Sequence, residues 1–407
     1  MALVTELELP EFDFLDPTLS GDRYHDTVRD LAARNWLARS EIAYFVFDRE
    51  AGELFLRTRS ARFPGMEIAE IFGITEGPLA EEMKRNILHL DGADHRRLRQ
   101  LVNPFFTPRA ADRWRPTMRT FLEQLWAPLE GRGECEVVED LCKPYPSLTI
   151  ATVMGAPLSD APKLHEWSNW IQKQFDAPTL TTQRERIDQA VAEFYDWVGP
   201  LIEHRRATPG DDLISHLIEA EEEGDRLSDV ECRNLVLNVL VGGVDTTQSQ
   251  LAQALLLFAR HPDQWALLAR EPERVPAAVM EVVRHEPITP FTARILREDL
   301  EVKGVMFPAG TIVMVAAVTA NRDGIADGEE FDITRTDDER VLTFGAGPHY
   351  CLGVNLARAE LEEALTFLAP RMPNLELAGE PALEGVHGIY GVERLALRWG
   401  DGPPSRQ

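Results

Sequence analysis

Apolar positions recur at helical spacing along most of this chain. The clearest run starts at Ser228, whose hydroxyl can cap a helix while Glu231 reaches back, a capping-box spacing. It continues through Leu235, Val236, Val239, Leu240, Val244, Leu251, Ala254, Leu255 and Phe258 to a break at His261-Pro262. Apolar residues fall nearly all round it, so this helix is expected to run buried through the middle of the protein. Shorter helices are predicted near residues 94–102, 164–175, 184–205, 276–285 and 354–367. Between 300 and 318 the pattern turns to strand. There, 302–305 and 311–315 flank Pro308-Ala309-Gly310, which reads as a hairpin. A second strand pair is predicted between 386 and 399, and the acidic run 221–223 reads as a solvated loop. No repeat, Ser/Gly linker or composition break marks a boundary. Residues 1–407 are therefore expected to form one domain, mainly α with small β-sheets.

The chain has 407 residues, 44% hydrophobic and 27% charged, enough to bury a large core. Its 68 acidic against 42 basic residues give a net charge of −26, a surface that repels nucleic acid and anionic membranes. The first 17 residues have neither a basic start nor an apolar run, so no secretory signal is expected there. The most apolar stretch, around 235–244, is interrupted by Asn238 and followed by Asp245, which argues against a membrane span. Cys135, Cys142, Cys232 and Cys351 form no CxxC pair and are too few for a disulfide framework, which points to a reducing cytoplasm.

The segment richest in chemistry is Phe344-Gly345-Ala346-Gly347-Pro348-His349-Tyr350-Cys351-Leu352-Gly353, followed by a helical pattern. Three glycines in ten residues let backbone approach something flat or bulky. A cysteine just before a helix sits where free N–H groups favour a thiolate, suited to a metal ligand or a nucleophile. A lone buried cysteine is ordinarily inert; the glycines around this one point the other way. The string fits F-G-x-G-x-H-x-C-x-G without a mismatch and resembles the haem-binding loop of the cytochrome P450 family. The following Leu356-Ala357-Arg358-Ala359-Glu360 is also similar to that family's next helix. The resemblance implies a P450 fold, with a long buried central helix over haem b and a cysteine loop beneath it. It further implies that Cys351 is the axial thiolate ligand of the haem iron, with Phe344, Gly345 and Gly353 shaping the haem-binding loop. Such a thiolate pushes electron density toward O–O cleavage.

Three other regions carry the same resemblance. Glu281-Val282-Val283-Arg284 places an acid and a base three apart on one helix face, usually a surface pair of little worth. It resembles the family's buried Glu–Arg pair, which implies a structural role for Glu281, Arg284 and Arg335. Gly242-Gly243-Val244-Asp245-Thr246-Thr247 interrupts the buried helix with two glycines, each costing about 1 kcal/mol against alanine. On the residues alone this is either a kink with a close helix contact or an opening beside the helix, where Thr246 can divert a local backbone hydrogen bond. It is similar to the family's oxygen-binding groove, which implies that Thr246 holds dioxygen and a water while Asp245 helps deliver protons. His95 and Arg99, four apart, resemble the family's H-x-x-x-R. With Arg294 and His349 they are implied to hold the haem propionates. The likeness extends from about residue 88 to 359.

No HExxH, GxSxG, Walker-type loop or GxGxxG is present, nor any flavin or iron–sulfur segment. Electrons are therefore expected from a separate ferredoxin or flavodoxin with its reductase, docking near Arg96, Arg97, Arg335 and Arg358. The expected activity is insertion of one atom of O2 into a hydrophobic small molecule, by hydroxylation or epoxidation. Phe72, Leu240, Val244, Ile288, Phe291 and Ile389 are placed in the pocket by position in the implied fold. Desaturation, oxidative coupling and peroxide-driven chemistry on the same fold are alternatives. A non-catalytic haem protein is a further one, as is a hydrolase using Cys351 and His349, which nothing in the loop would orient.

Overall fold

The computed structural model describes residues 2–222, 227–336 and 340–400. The shorter predicted helices are present with small shifts at their ends: Gly92–Val102, Ala161–Gln172, Arg184–Ala207, Val275–His285 and Val354–Leu368. The central helix starts as its sequence predicts. Ser228 Oγ accepts from the Glu231 N–H at 3.3 Å, and the Glu231 carboxylate accepts from the Ser228 N–H at 2.9 Å. It does not run unbroken, however. It is divided into Asp229–Gly243 and Asp245–Arg260, meeting at Val244 with φ −97° and ψ −68°. The hydroxyl of Thr246 donates to the Gly242 carbonyl at 2.8 Å, competing for an acceptor that the helical ladder uses.

The two glycines before that joint do different things. A side chain on Gly243 would meet Ile150 Cδ1 at 2.3 Å, so this glycine lets the helix Pro144–Met154 pack close. Gly242 is exposed and a Cβ there would meet nothing within 4 Å, so it opens a groove. Elsewhere both segments are enclosed: Leu235, Val236, Leu240, Val244, Leu251, Leu255 and Phe258 are all buried. Each such side chain contributes about 1.5–3 kcal/mol on burial.

The sheets lie beside this helical core. The largest has five strands in the order Leu37–Arg39, Tyr44–Val46, Ile312–Ala316, Phe291–Leu296, Ala61–Arg62. A three-stranded sheet pairs Ala2–Leu3 parallel to Val305–Phe307, which in turn pairs antiparallel to Leu300–Val302. The hairpin near residue 305 therefore closes on Lys303-Gly304, not on Pro308-Ala309-Gly310. Lys303 and Gly304 have φ of 51° and 77°, the backbone that a tight two-residue hairpin demands. Pro308-Ala309-Gly310 instead carries the chain from this sheet to the five-stranded one. The predicted C-terminal strand pair is also corrected. Val392–Arg394 and Ala396–Arg398 follow one another but join different sheets, pairing with Ala382–Leu383 and with Glu376–Leu377 and Glu134–Glu136 respectively.

Glu221 and Glu222 end the helix Leu213–Glu222 rather than forming a loop, and Glu221 binds Arg206 at 2.9 Å; Glu223 lies outside the described residues. The four cysteines are free. Among the described residues no helix is long and apolar enough to cross a membrane.

The unequal glycines predict unequal substitutions. Gly242→Ala should raise unfolding stability by about 0.5–1 kcal/mol, the usual helix-interior gain. Gly243→Ala should lower it by about 1–3 kcal/mol, because buried Ile150 must move. Chemical denaturation of both variants checks the pair; equal shifts would remove the packing role assigned to Gly243.

Candidate active site

The cysteine loop is shaped by its glycines. Gly345 and Gly347 have φ of 68° and 71°, a region that disfavours side chains. A Cβ on Gly347 would also lie 2.8 Å from the Leu56 carbonyl and 2.9 Å from Arg57 Cα, both backbone and unable to yield. The Cys351 N–H donates to the Phe344 carbonyl at 2.9 Å and closes the loop. Gly353 precedes the helix Val354–Leu368 and has nothing within 4 Å of where its Cβ would be. Burial pushes the Cys351 thiol up from its ordinary range. The N–H groups of Gly353 and Val354, together with the charge of Arg99, pull it back. The sulfur is thus aimed by backbone donors at a helix start.

Beside it, three elements bring two arginines and two histidines together. His95 and Arg99 come from the helix Gly92–Val102, His349 from the cysteine loop and Arg294 from the strand Phe291–Leu296. The His95 and His349 rings lie 4.3 Å apart between centroids. Arg99 donates to the Tyr350 carbonyl, and Arg294 to the Ala293 carbonyl at 2.8 Å. Burial lowers Arg294 to about 10, His95 to about 4 and His349 to about 3, the two imidazoles being further lowered by neighbouring arginines. Among the described residues neither Arg99 nor Arg294 forms an ion pair. Buried guanidinium groups are ordinarily neutralised, so this set fits an anionic ligand with two or more carboxylates. A haem, with its two propionates and an iron that takes a thiolate, would fit these residues, with Cys351 as the thiolate.

Asp245 and Thr246, expected in the middle of one continuous helix, instead begin its second segment, on the joint next to the open groove at Gly242. Asp245 is buried, its carboxyl raised by burial, and it accepts from Asn169 Nδ2 at 3.2 Å. His165 lies on the same helix as Asn169 and touches Gln248 at 2.8 Å. One position on, Thr247 faces Glu360 at 3.4 Å, a fully enclosed carboxyl pushed well up by burial. Asn169, His165 and Glu360 had not been singled out from the sequence. The available signal for the last was a glutamate flanked by Ala359 and Leu361 in the helix that follows the cysteine loop.

Glu281, Arg284 and Arg335 do meet, and they are inside. Arg284 binds Glu281 through Nε and one terminal nitrogen at 2.7 and 2.8 Å, and both side chains are nearly inaccessible. Arg284 also donates to the Gly328 and Glu330 carbonyls, while Arg335 Nε approaches Glu281 at 3.6 Å. Glu281 further accepts from the Asp332 N–H at 2.9 Å, so it fixes the segment leading toward the cysteine loop. Arg340, given no role from sequence, stacks over the Tyr350 ring at 4.1 Å.

The six pocket expectations divide. The Tyr390 N–H donates to the Ile288 carbonyl at 2.8 Å, bringing the segments of Ile288 and Ile389 together. Leu240 and Val244 are fully buried in the central helix, and Phe72 packs against the main core. Phe291 departs from expectation: its ring is enclosed by Phe12, Phe14, Tyr24 and Phe45, an aromatic core in its own right. A polar group missed from sequence is Glu82, wholly buried, accepting from Asn86 at 2.7 Å and from Asn238 of the central helix at 3.0 Å. Of the four arginines considered for an electron donor, Arg97 is bound to Glu231 at 2.5 Å, Arg335 is internal and Arg358 lies 3.6 Å from Glu362. Arg96 is exposed and forms no ion pair among the described residues.

Comparison with known proteins bears on the whole chain. Residues 74–369 match the family model described as Cytochrome P450. Luteothin monooxygenase of Streptomyces thioluteus is 37% identical over 398 residues, covering 97% of each chain. Nocardicin C N-oxygenase of Nocardia uniformis subsp. tsuyamanensis is 37% identical over 301 residues, 73% of this chain and 74% of the relative. Among solved structures, CalO2 superposes with a TM-score of 0.90 at 30% identity, covering 97% of this chain and 100% of that one.

Because Glu281 and Arg284 are buried together, removing one should cost far more than a surface pair. Arg284→Ala is expected to lower stability by about 3–5 kcal/mol by leaving Glu281 uncompensated. Thermal or chemical unfolding checks this. A loss below about 1 kcal/mol, the worth of an exposed pair, would contradict the bracing role.

Proposed function

The chain belongs to the cytochrome P450 family, and we propose that it is a haem–thiolate monooxygenase inserting one atom of O2 into a hydrophobic small molecule. The observation that carries this reading is the Cys351 sulfur, whose charge the Gly353 and Val354 N–H groups favour, beside Arg99 and Arg294, which form no ion pair among the described residues. The bound haem b supplies the oxidising chemistry, in which two electrons and two protons reduce the second oxygen atom to water. Cys351 ligates the iron. His95, Arg99, Arg294 and His349 hold the propionates, and their preference for an anion fixes the orientation of the ring.

Thr246 keeps its hydroxyl on the Gly242 carbonyl at the groove. From there it positions O2 and a water, while buried Asp245 holds and passes protons. An intact acid and alcohol at this joint favours O2 over a peroxide-driven route. His349 packs at a tilt against His95, and burial keeps it neutral at a low pKa of about 3, which makes it a poor base for Cys351 and disfavours a hydrolase. The similarity to a luteothin monooxygenase and a nocardicin C N-oxygenase supports oxygen insertion into a bacterial biosynthetic intermediate. The substrate lies along the groove, toward the segments of Ile288 and Ile389. We read residues 1–407 as one domain working in the cytoplasm. Electrons arrive from a ferredoxin or flavodoxin and its reductase, with exposed Arg96, which forms no ion pair among the described residues, as a contact.

Reduced protein with carbon monoxide should give the strongly red-shifted Soret band of a thiolate-ligated haem, lost in Cys351→Ser. Haem bound without that band would overturn the assignment of Cys351. Thr246→Ala should keep substrate binding, read by the spin-state shift, but divert electrons to hydrogen peroxide. An unchanged product yield per reducing equivalent would remove Thr246 from the mechanism.

A further inference from the structure

A second carboxyl lies close to Asp245 and none of the roles above uses it. Glu384 follows the strand Ala382–Leu383, and its N–H donates to the Gly391 carbonyl at 3.1 Å. A Cβ on Gly391 would lie 2.4 Å from Glu384 Oε2 and 3.0 Å from Ser249 Oγ. Gly391 has no positive φ, so its lack of a side chain answers to space rather than to backbone strain. That space lets the Glu384 carboxyl and the Ser249 hydroxyl converge on one point. Ser249 is one helical turn after Asp245, on the same face of the same helix, and both are buried.

We propose that Glu384 is the proton donor to Asp245, with the Ser249 hydroxyl between them, so that protons enter the acid–alcohol pair from the side of the strand Ala382–Leu383. This deepens the monooxygenase reading and rests on it. In the step, a proton leaves the Glu384 carboxyl and the Ser249 oxygen accepts it. The Ser249 hydroxyl proton passes to the Asp245 carboxylate. Glu384 is then reprotonated from solvent, and no electrons move.

The surroundings suit that task. Burial, and then the charge of Asp245, push Glu384 up to about 7, with Glu393 adding and Lys173 and the Gly391 N–H opposing. Asp245 faces Asn169, His165, Lys173 and Lys143, and burial is its largest influence. A carboxyl that titrates near neutral pH both gives and regains protons readily. Its folded value lies above its ordinary one, so Glu384 is neutral and loaded below about pH 7 and discharged above it. Proton supply to Asp245 should therefore fall as pH rises through 7.

Infrared titration of the haem-loaded protein tests the pairing without turnover. A protonated-carboxyl stretch should titrate near pH 7, vanish in Glu384→Gln, and move its midpoint down by about one pH unit in Asp245→Asn. Persistence of the band in Glu384→Gln, or an unmoved midpoint in Asp245→Asn, would overturn the pair. Turnover tests the relay: in the parent protein, product per reducing equivalent should decline above neutral pH. That decline should disappear, at uniformly low yield, in both Glu384→Gln and Ser249→Ala, while Ser249→Ala keeps the infrared band. A parent-like profile in either variant would sink the relay. The underlying reading fails separately, and takes the relay with it, if the parent protein shows no thiolate-shifted carbon monoxide band.

Discussion

Iron asks for a charged sulfur, and burial opposes that charge. The chain meets this conflict at Cys351 with backbone rather than with a lysine or a metal. The N–H groups of Gly353 and Val354 converge on the sulfur, and Arg99 lends a positive field from another helix. Such donors work only if the loop cannot relax. Gly345 and Gly347 take conformations that hold the turn, and Gly347 is pressed against the backbone of residues 56 and 57. The buried Glu281–Arg284 pair ties the approach to the loop through Asp332. Under the proposed function, the loop, the helix behind it and the ion pair serve one end, which is to keep that sulfur ionised and aimed.

The cation cluster states the same conflict with the opposite sign. A chain carrying −26 overall nevertheless collects two guanidinium groups and two imidazoles in one enclosed place. Burial presses each toward its neutral form, and under the proposed function a dianionic ligand would offset that pressure. Under that function, binding the prosthetic group and completing the core would be one event, with stability linked to occupancy by mass action.

How much of this was readable beforehand depended on the range of the forces involved. The cysteine loop was legible because Gly345 and Gly347 answer to their own backbone, which takes a positive φ at each. The central helix was legible as a period, and Gly242, Gly243 and the hydroxyl of Thr246 pointed to a disturbance within it, but its division into two segments at Val244 leaves no trace in the apolar pattern. Glu281 and Arg284 were visible as a pair, whereas their burial depends on residues 328–335 folding over them. The misplaced hairpin had a related cause. Pro308-Ala309-Gly310 looks like a turn and is one, but strand partners are chosen across the sheet. Phe291 shows the limit of reasoning by position in a fold, because its aromatic neighbours include residues 12 and 14, from the least characteristic part of the sequence. The convergence of Glu384 and Ser249 at Gly391 was likewise invisible, arising from a glycine whose importance is only spatial.

The sheet order also bears on how the molecule is made. Tyr44–Val46 lies parallel to Ile312–Ala316, Ala2–Leu3 to Val305–Phe307, and Glu134–Glu136 pairs with Ala396–Arg398. Each early strand has a partner translated much later. At a synthesis rate of roughly 5–20 residues per second, residue 46 waits on the order of 15–50 s for residue 315 to appear. During that interval the early edge strands are open to any other chain with a free edge. A nascent molecule of this protein therefore spends most of its time on the ribosome needing an escort, and closes its sheets only near the end of its own translation.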